Sequence, residues 1–203
     1  MWGKGLAPGA AFDTGGPSKA LLSVLPKLKA GRCFVPGAGR AYDAHLLAGS
    51  GDGRAREVLA LDLSGTACRE ANAWLASQPA PSEGSVTVKE GDFFLDPGLG
   101  KFDVIWDCTF LCALDPSVRA QWAARQSDLL NPCGQLVTLI FPIAPEKVGG
   151  PPYALTVELV ESLLKPLGFV SVDQIDLPAG THMPTMPFGN TVVVWKKKEE
   201  QTE

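Results

Sequence analysis

Two glycines and a carboxylate carry the first chemical signal in this chain. Val35-Pro36-Gly37-Ala38-Gly39-Arg40 lies between an apolar run and a helical pattern, a turn with almost no side-chain bulk. Bare backbone at a helix N-terminus lets a nucleotide-like molecule lie against it. Asp62 follows Gly37 by 25 residues and closes the next apolar run, a position where an acid accepts hydrogen bonds from ribose hydroxyls. The competing role for Asp62 is a helix N-terminal carboxylate, worth a few tenths to about 1 kcal/mol against the dipole. Asp92, in Gly91-Asp92-Phe93-Phe94, is placed to accept from an adenine amino group while Phe93 packs on the purine face. Asp107 ends a further strand just before Cys108, at the edge where such sheets bind ligands, and its charge favours a cation there. For Asp92 and Asp107 the competing role is a turn or capping carboxylate.

The identity of the nucleoside is narrowed by what is missing. A dinucleotide fingerprint continues to a third glycine, and that position holds Tyr42. A pyrophosphate needs the close approach a third glycine allows, whereas an adenosyl sulfonium does not. Acid–base chemistry is poorly provided for: histidine occurs only as His45 and His182. His45 falls in the helix after the glycine turn and reads as structural, and His182 in a late proline-rich loop is a candidate for contact with substrate. No G-x-S-x-G elbow and no metal-ligand spacing is present.

The elements that must position these residues alternate. Strands are expected over 32–36, 57–62, 86–88, 102–106, 135–141, 169–175 and 191–195. Pro17 opens a helical pattern in which Leu21, Leu22 and Leu25 share a face, and further helices are expected over 42–48, after Ser64, from Pro116 and over 155–165. The helix after Ser64 is read with Trp74 and Leu75 inward, and the one from Pro116 with Val118, Trp122 and Leu129. This alternation predicts an α/β fold, a seven-stranded Rossmann-like sheet with helices on both faces. Pro178, Pro184 and Pro187 forbid a crossover helix between the last two strands, so the last strand is expected to run antiparallel in an otherwise parallel sheet. By analogy of topology, that layout resembles that of methyltransferases that use S-adenosyl-L-methionine.

Methyl transfer from a sulfonium to an already anionic soft nucleophile (bisulfide, thiolate, thiocyanate, halide) needs no base. Opposite charges cancel along the path, which a dry apolar pocket favours. In-line alignment can supply roughly 7–11 kcal/mol. Candidate pocket walls are Trp2, Phe12, Phe110, Cys112, Phe141 and Tyr153.

The 203 residues suffice for one domain with a sizeable core, expected over 1–203 with 1–16 as a lid segment and 196–203 as a disordered tail. A net charge of −4, with one basic cluster at Lys196-Lys197-Lys198 diluted by neighbouring glutamates, argues against nucleic acid. No apolar run approaches the roughly 20 residues of a membrane span. Five cysteines without a C-x-x-C pair suggest neither a disulfide framework nor a metal site. The expected partner is a small-molecule nucleophile, with no nucleic acid and no membrane, for a cytoplasmic monomer.

Several stretches resemble the thiol/halide and thiopurine methyltransferase family almost end to end. They are Val35-Pro36-Gly37-Ala38-Gly39, Leu61-Asp62-Leu63-Ser64, Phe102-Asp103-Val104-Ile105-Trp106-Asp107, Phe110-Leu111-Cys112-Ala113-Leu114-Asp115-Pro116, Leu136-Val137-Thr138-Leu139-Ile140-Phe141-Pro142 and Gly149-Gly150-Pro151-Pro152-Tyr153. The texture is most similar to plant and algal members that methylate thiols, thiocyanate and halides. The resemblance implies S-adenosyl-L-methionine bound by Gly37, Gly39, Asp62, Leu63, Asp92, Phe93, Asp107 and Cys108, with Trp2 and Phe12 in an N-terminal lid. It implies substrate-facing Tyr153, Phe110 and Cys112, no acid or base, and no metal. The readings kept beside it are a thiopurine or metalloid methyltransferase, a non-catalytic S-adenosyl-L-methionine-binding protein, and a nicotinamide oxidoreductase.

Overall fold

Nine consecutive buried residues, 134–142, form the spine of the sheet, because a strand covered on both faces has no position for a solvated side chain. In the computed structural model, which describes residue 2 and residues 6–198, this run lies in β5 (Leu130–Ile143). The other strands are β1 (Gly31–Pro36), β2 (Arg56–Asp62), β3 (Ser85–Glu90), β4 (Phe102–Asp107), β6 (Phe169–Leu177) and β7 (Gly189–Lys197). Their order is β3-β2-β1-β4-β5-β7-β6. β1 to β5 pair in parallel, and β7 runs antiparallel to both β5 and β6. The segment between β6 and β7 carries no helix, as its prolines require.

β1 lies beside both β2 and β4, so the chain turns away in opposite directions from these two neighbours. A crevice opens at their carboxyl ends, where loops diverge and ligands of such sheets bind. The residues at those ends are Gly37 and Cys108.

Among the described residues five α-helices cover the sheet: α1 (Lys19–Val24), α2 (Tyr42–Ala48), α3 (Gly65–Ala76), α4 (Arg119–Leu129) and α5 (Val157–Leu164). Hydroxyl caps start three of them, with Ser18 accepting from Ala20 N, Ser64 from Ala67 N and Thr156 from Leu159 N. No helix among the described residues is long and apolar enough to cross a membrane.

Several sequence expectations need correction. Leu22 is exposed while Leu21 and Leu25 are buried, because α1 is too short to bury more than a narrow stripe. The buried residues of α3 are Ala67, Cys68 and Ala71, and Leu75 packs against the core as expected. Trp74 instead meets Tyr42 edge-on at 4.7 Å, bridging to α2. β5 begins at Leu130, directly out of α4, with a register shift before Val104 pairs with Gln135. Lys196 and Lys197 belong to β7, not to a tail; Lys197 Nζ donates to Ser127 O and sits 5.7 Å from the Phe169 ring. Residues 199–203 of the expected tail, and residues 1 and 3–5 of the expected lid, lie outside the described residues. All five cysteines are free.

Candidate active site

The glycine corner is shaped by backbone sign before anything else. Gly37 and Gly39 have φ of 62° and 54°, and the N-cap of α2, Ala41, has φ of 60°. A Cβ on Gly37 falls 2.6 Å from Phe110 Cδ2, so the space beside this glycine belongs to Phe110. Gly37→Ala is expected to lose about 1–2 kcal/mol from the left-handed backbone alone and to displace Phe110, read as a lower urea midpoint with cofactor affinity reduced in parallel. An unchanged midpoint contradicts this account.

Asp62 stands across the corner. Its Oδ2 accepts from Gly39 N at 3.0 Å and its Oδ1 from Ser64 N at 2.9 Å, so one carboxylate braces the glycine turn and the start of α3. Burial pushes its pKa up, while the two backbone donors oppose that rise. Both bonds leave oxygen lone pairs free, since each carboxylate oxygen accepts more than once.

Two adjoining cavities open here. Both are bordered by Trp2, Phe12, Gly37, Asp62 and Thr109, and the larger measures about 970 Å³. Trp2 meets Phe12 edge-on at 5.8 Å and lies under the Arg40 guanidinium at 5.4 Å, so described parts of the N-terminal segment close over the corner. Gly39, Cys108, Asp43, Ser18 and His182 line the smaller cavity. Leu63, Phe110, Cys112, Phe141, Met183 and Met186 are among the walls of the larger one, and Leu63 is 72% exposed at its mouth.

Four expected site residues are placed elsewhere. Asp107 is buried with both oxygens spoken for: Oδ1 accepts from Leu111 N, and Oδ2 from Trp122 Nε1 and Gln126 Nε2. It ties β4 to α4 and lines neither cavity. Asp92 caps its own turn, Oδ1 accepting from Phe94 N at 2.7 Å, and it also lies off the cavities. Phe93 is core, parallel to Phe34 and edge-on to Phe110 at 4.9 Å. Tyr153 donates its backbone N–H to Cys112 O and packs its ring against Gly150, leaving Pro151 and Pro152 to line the larger cavity instead.

The carboxylate that does face the smaller cavity from α2 is Asp43, which sequence reasoning missed. It accepts from Ser18 N at 2.7 Å and from Trp106 Nε1 at 2.6 Å, and burial pushes its pKa up. An acid in the first turn after a glycine corner was the available signal. Arg40, a turn residue in the sequence, donates from Nε to Asp13 Oδ2 at 2.9 Å while its other nitrogens reach Glu70 and Leu6 O. Burial holds the Cys108 thiol well above its usual range and pushes Cys112 up to about 12, so neither offers a thiolate to an electrophile at neutral pH.

His182 and Asp107 tilt stability in opposite senses over overlapping pH. Burial pushes His182 down to about 4 from 6.5. The unfolded chain therefore binds that proton first, and the contribution is lost as pH falls from about 6.5 to about 4. Burial pushes Asp107 up to about 6 from 3.8, so its contribution is full at low pH and is lost as pH rises through about 6. His182→Leu is expected to leave the Asp107 slope exposed, with urea midpoints that fall with pH across this window relative to the parent. A parallel pair of pH curves contradicts it.

With this geometry in hand, the family comparison is decisive: the family model for thiopurine S-methyltransferase (TPMT) matches residues 4–198. The chain belongs to the thiopurine S-methyltransferase family. It is therefore a methyltransferase that uses S-adenosyl-L-methionine. This family member is 39% identical over 178 residues to the probable thiol methyltransferase 2 of Arabidopsis thaliana, covering 86% of this chain and 76% of that one. It is 38% identical over 170 residues to thiocyanate methyltransferase 1 of the same plant, covering 84% and 71%. Among solved structures its fold is similar to the glycopeptide N-methyltransferase MtfA complexed with S-adenosyl-L-methionine, with a TM-score of 0.68 at 15% identity over 95% of this chain and 100% of that one.

Proposed function

We propose that this family member methylates small soft nucleophiles, a thiol, bisulfide, thiocyanate or halide, by direct displacement. The observation that carries the reading is the larger cavity: Phe12, Phe110, Cys112, Phe141, Met183 and Met186 line it, and among the described residues no lysine, arginine or histidine does. Such a wall suits an acceptor that arrives as a soft anion and needs no base. Bound at the glycine corner, S-adenosyl-L-methionine supplies a methyl carbon on a sulfonium cation, whose charge is cancelled by an attacking anion in a dry site.

The residues present fit that group. Asp62 has lone pairs left to accept from ribose hydroxyls, Leu63 offers an apolar face beside it, and Gly37 and Gly39 keep the corner free of side chains. Trp2 and Phe12 exclude water from above, as a lid segment would. Asp43 supplies a carboxylate acceptor in the smaller cavity, suited to an ammonium group. Cys108 borders the same space as a neutral thiol. The plant relatives named as thiol and thiocyanate methyltransferases support the choice of acceptors.

A second reading, an aromatic thiol acceptor, is favoured by the aromatic and thioether walls of the larger cavity, Phe110, Phe141, Met183 and Met186. Incubation with methyl-labelled S-adenosyl-L-methionine and a panel of bisulfide, thiocyanate, iodide and thiophenol, followed by headspace analysis, separates the two. Volatile methylated product from an inorganic anion supports the first reading; product from thiophenol alone supports the second. Calorimetric binding of S-adenosyl-L-methionine with no product from the panel overturns both.

A further inference from the structure

Among the described residues, four buried side-chain nitrogen or oxygen atoms lack a hydrogen-bond partner, and only one of them, His182 Nε2, belongs to a residue lining the cavities. The residue is 5% exposed. Its other ring nitrogen, Nδ1, lies 2.9 Å from Ser18 Oγ. That hydroxyl also accepts from Ala20 N as the cap of α1, and Cys108 Sγ lies 4.0 Å from the same Nδ1. With Ser18 Oγ donating to Nδ1, the imidazole proton sits on Nε2, which has no partner among the described residues.

The location of this N–H is as informative as its lack of a partner. His182 lines the smaller cavity and meets Phe141 edge-on at 5.0 Å. Phe141 and the residue after His182, Met183, line the larger cavity, so the ring lies against the wall of that space. Among the described residues the one other basic side chain on the walls, Arg40, is committed to Asp13, Glu70 and Leu6 O. Burial pushes His182 down to about 4, so the group offers a dipole and no positive charge near neutral pH.

We propose that His182 orients the methyl acceptor by donating a hydrogen bond from Nε2–H to its anionic atom, with Ser18 holding the tautomer. This rests on the reading that the cavity takes S-adenosyl-L-methionine and a soft anion. One N–H engages one lone pair of a compact sulfur or halide anion and leaves another for attack on the methyl carbon. An uncharged donor suits this role, because an imidazolium would bind the lone pairs more strongly and repel the sulfonium. The ring begins and ends the turnover with the same proton.

The chain has two histidines, so protein labelled with nitrogen-15 in the imidazoles gives two ring systems, separated by His45→Gln. The protein is titrated with S-adenosylhomocysteine alone and then, in that complex, with thiocyanate or iodide. The Nε2 proton of His182 is expected to shift when the anion is added. A shift with S-adenosylhomocysteine alone and none with the anion overturns the proposal, since the ring then serves the cofactor; so does no shift in either arm. Failure of S-adenosylhomocysteine to bind by calorimetry is a separate result that removes the cofactor reading and the proposal with it.

Kinetics supply the second test. His182→Phe keeps a planar ring without nitrogen and is expected to raise KM for thiocyanate about tenfold or more, with cofactor Kd within about twofold. His182→Gln, which returns an N–H near the Nε2 position, is expected to recover part of the loss. An unchanged acceptor KM in His182→Phe, or no recovery in His182→Gln, overturns the proposal.

Discussion

Arg40→Met is expected to destabilise the segment over the site by about 3–5 kcal/mol, because it strands a buried carboxylate. The side chains of Arg40 and Asp13 are 6% and 2% exposed, and their ion pair spans 2.9 Å. Asp13 Oδ1 also accepts from Gly9 N and Gly15 N at 3.0 and 2.8 Å, so this one carboxylate organises the turn that carries Phe12. Without the guanidinium, Asp13 must stay buried and unpaired or the turn must open to water. Opening is the cheaper outcome, and it withdraws Phe12 from the cavity mouth. Hydrogen exchange at the amides of residues 6–16 should accelerate far more than exchange in β4 and β5. A double-mutant cycle with Asp13→Leu should show the pair less destabilised than the sum of the single changes, since it leaves no orphaned charge. Loss below about 1 kcal/mol, or purely additive effects, contradicts this account.

Asp62→Ala is expected to weaken S-adenosyl-L-methionine binding about 5- to 150-fold, equivalent to 1–3 kcal/mol for a lost charged hydrogen-bond acceptor. Asp62 also braces Gly39 N and Ser64 N, so part of any loss comes from the corner relaxing. Asp62→Asn separates the two contributions: it preserves the shape and one acceptor oxygen and should lose less. A ligand lacking the ribose hydroxyls provides the control, because its affinity should respond to Asp62→Ala far less than that of the intact cofactor. Equal losses for both ligands remove the ribose assignment and leave Asp62 as a brace. Wild-type affinity in Asp62→Ala removes it outright.

Much of the fold was legible because local constraints have only one outcome. Alternating strand and helix patterns gave seven strands in sequence order, with boundaries that moved chiefly where the register shifts, as at the start of β5. Three prolines allowed only one direction for the last strand, since proline forbids the helix a parallel return requires. The glycine corner was equally readable, because only glycine both lacks a side chain and takes a positive φ without steric cost, as Gly37 and Gly39 do.

The site was legible in part, and carboxylates show why. Asp62, Asp92, Asp107 and Asp43 are chemically alike and all follow strands or open helices. Asp107 was drawn away by Trp122 and Gln126, which are 15 and 19 residues further along. Asp43 opens onto the cavity because Ser18 and Trp106, 25 and 63 residues distant, hold it there. Tyr153 failed for a related reason: its backbone bond to Cys112 O sets the turn, and the prolines before it take the cavity wall.

By itself, then, the amino-acid order determined the sheet, its reversed final strand, the bare corner and the acid beside it, since steric and periodic rules act within a few residues. Only the tertiary structure decided which polar groups were consumed by partners and which were left open to a ligand. The contact between Ser18 and His182 joins residues 164 apart, and no local rule brings them together. A buried donor is spent or free according to what packs beside it, and that is a property of the assembled molecule.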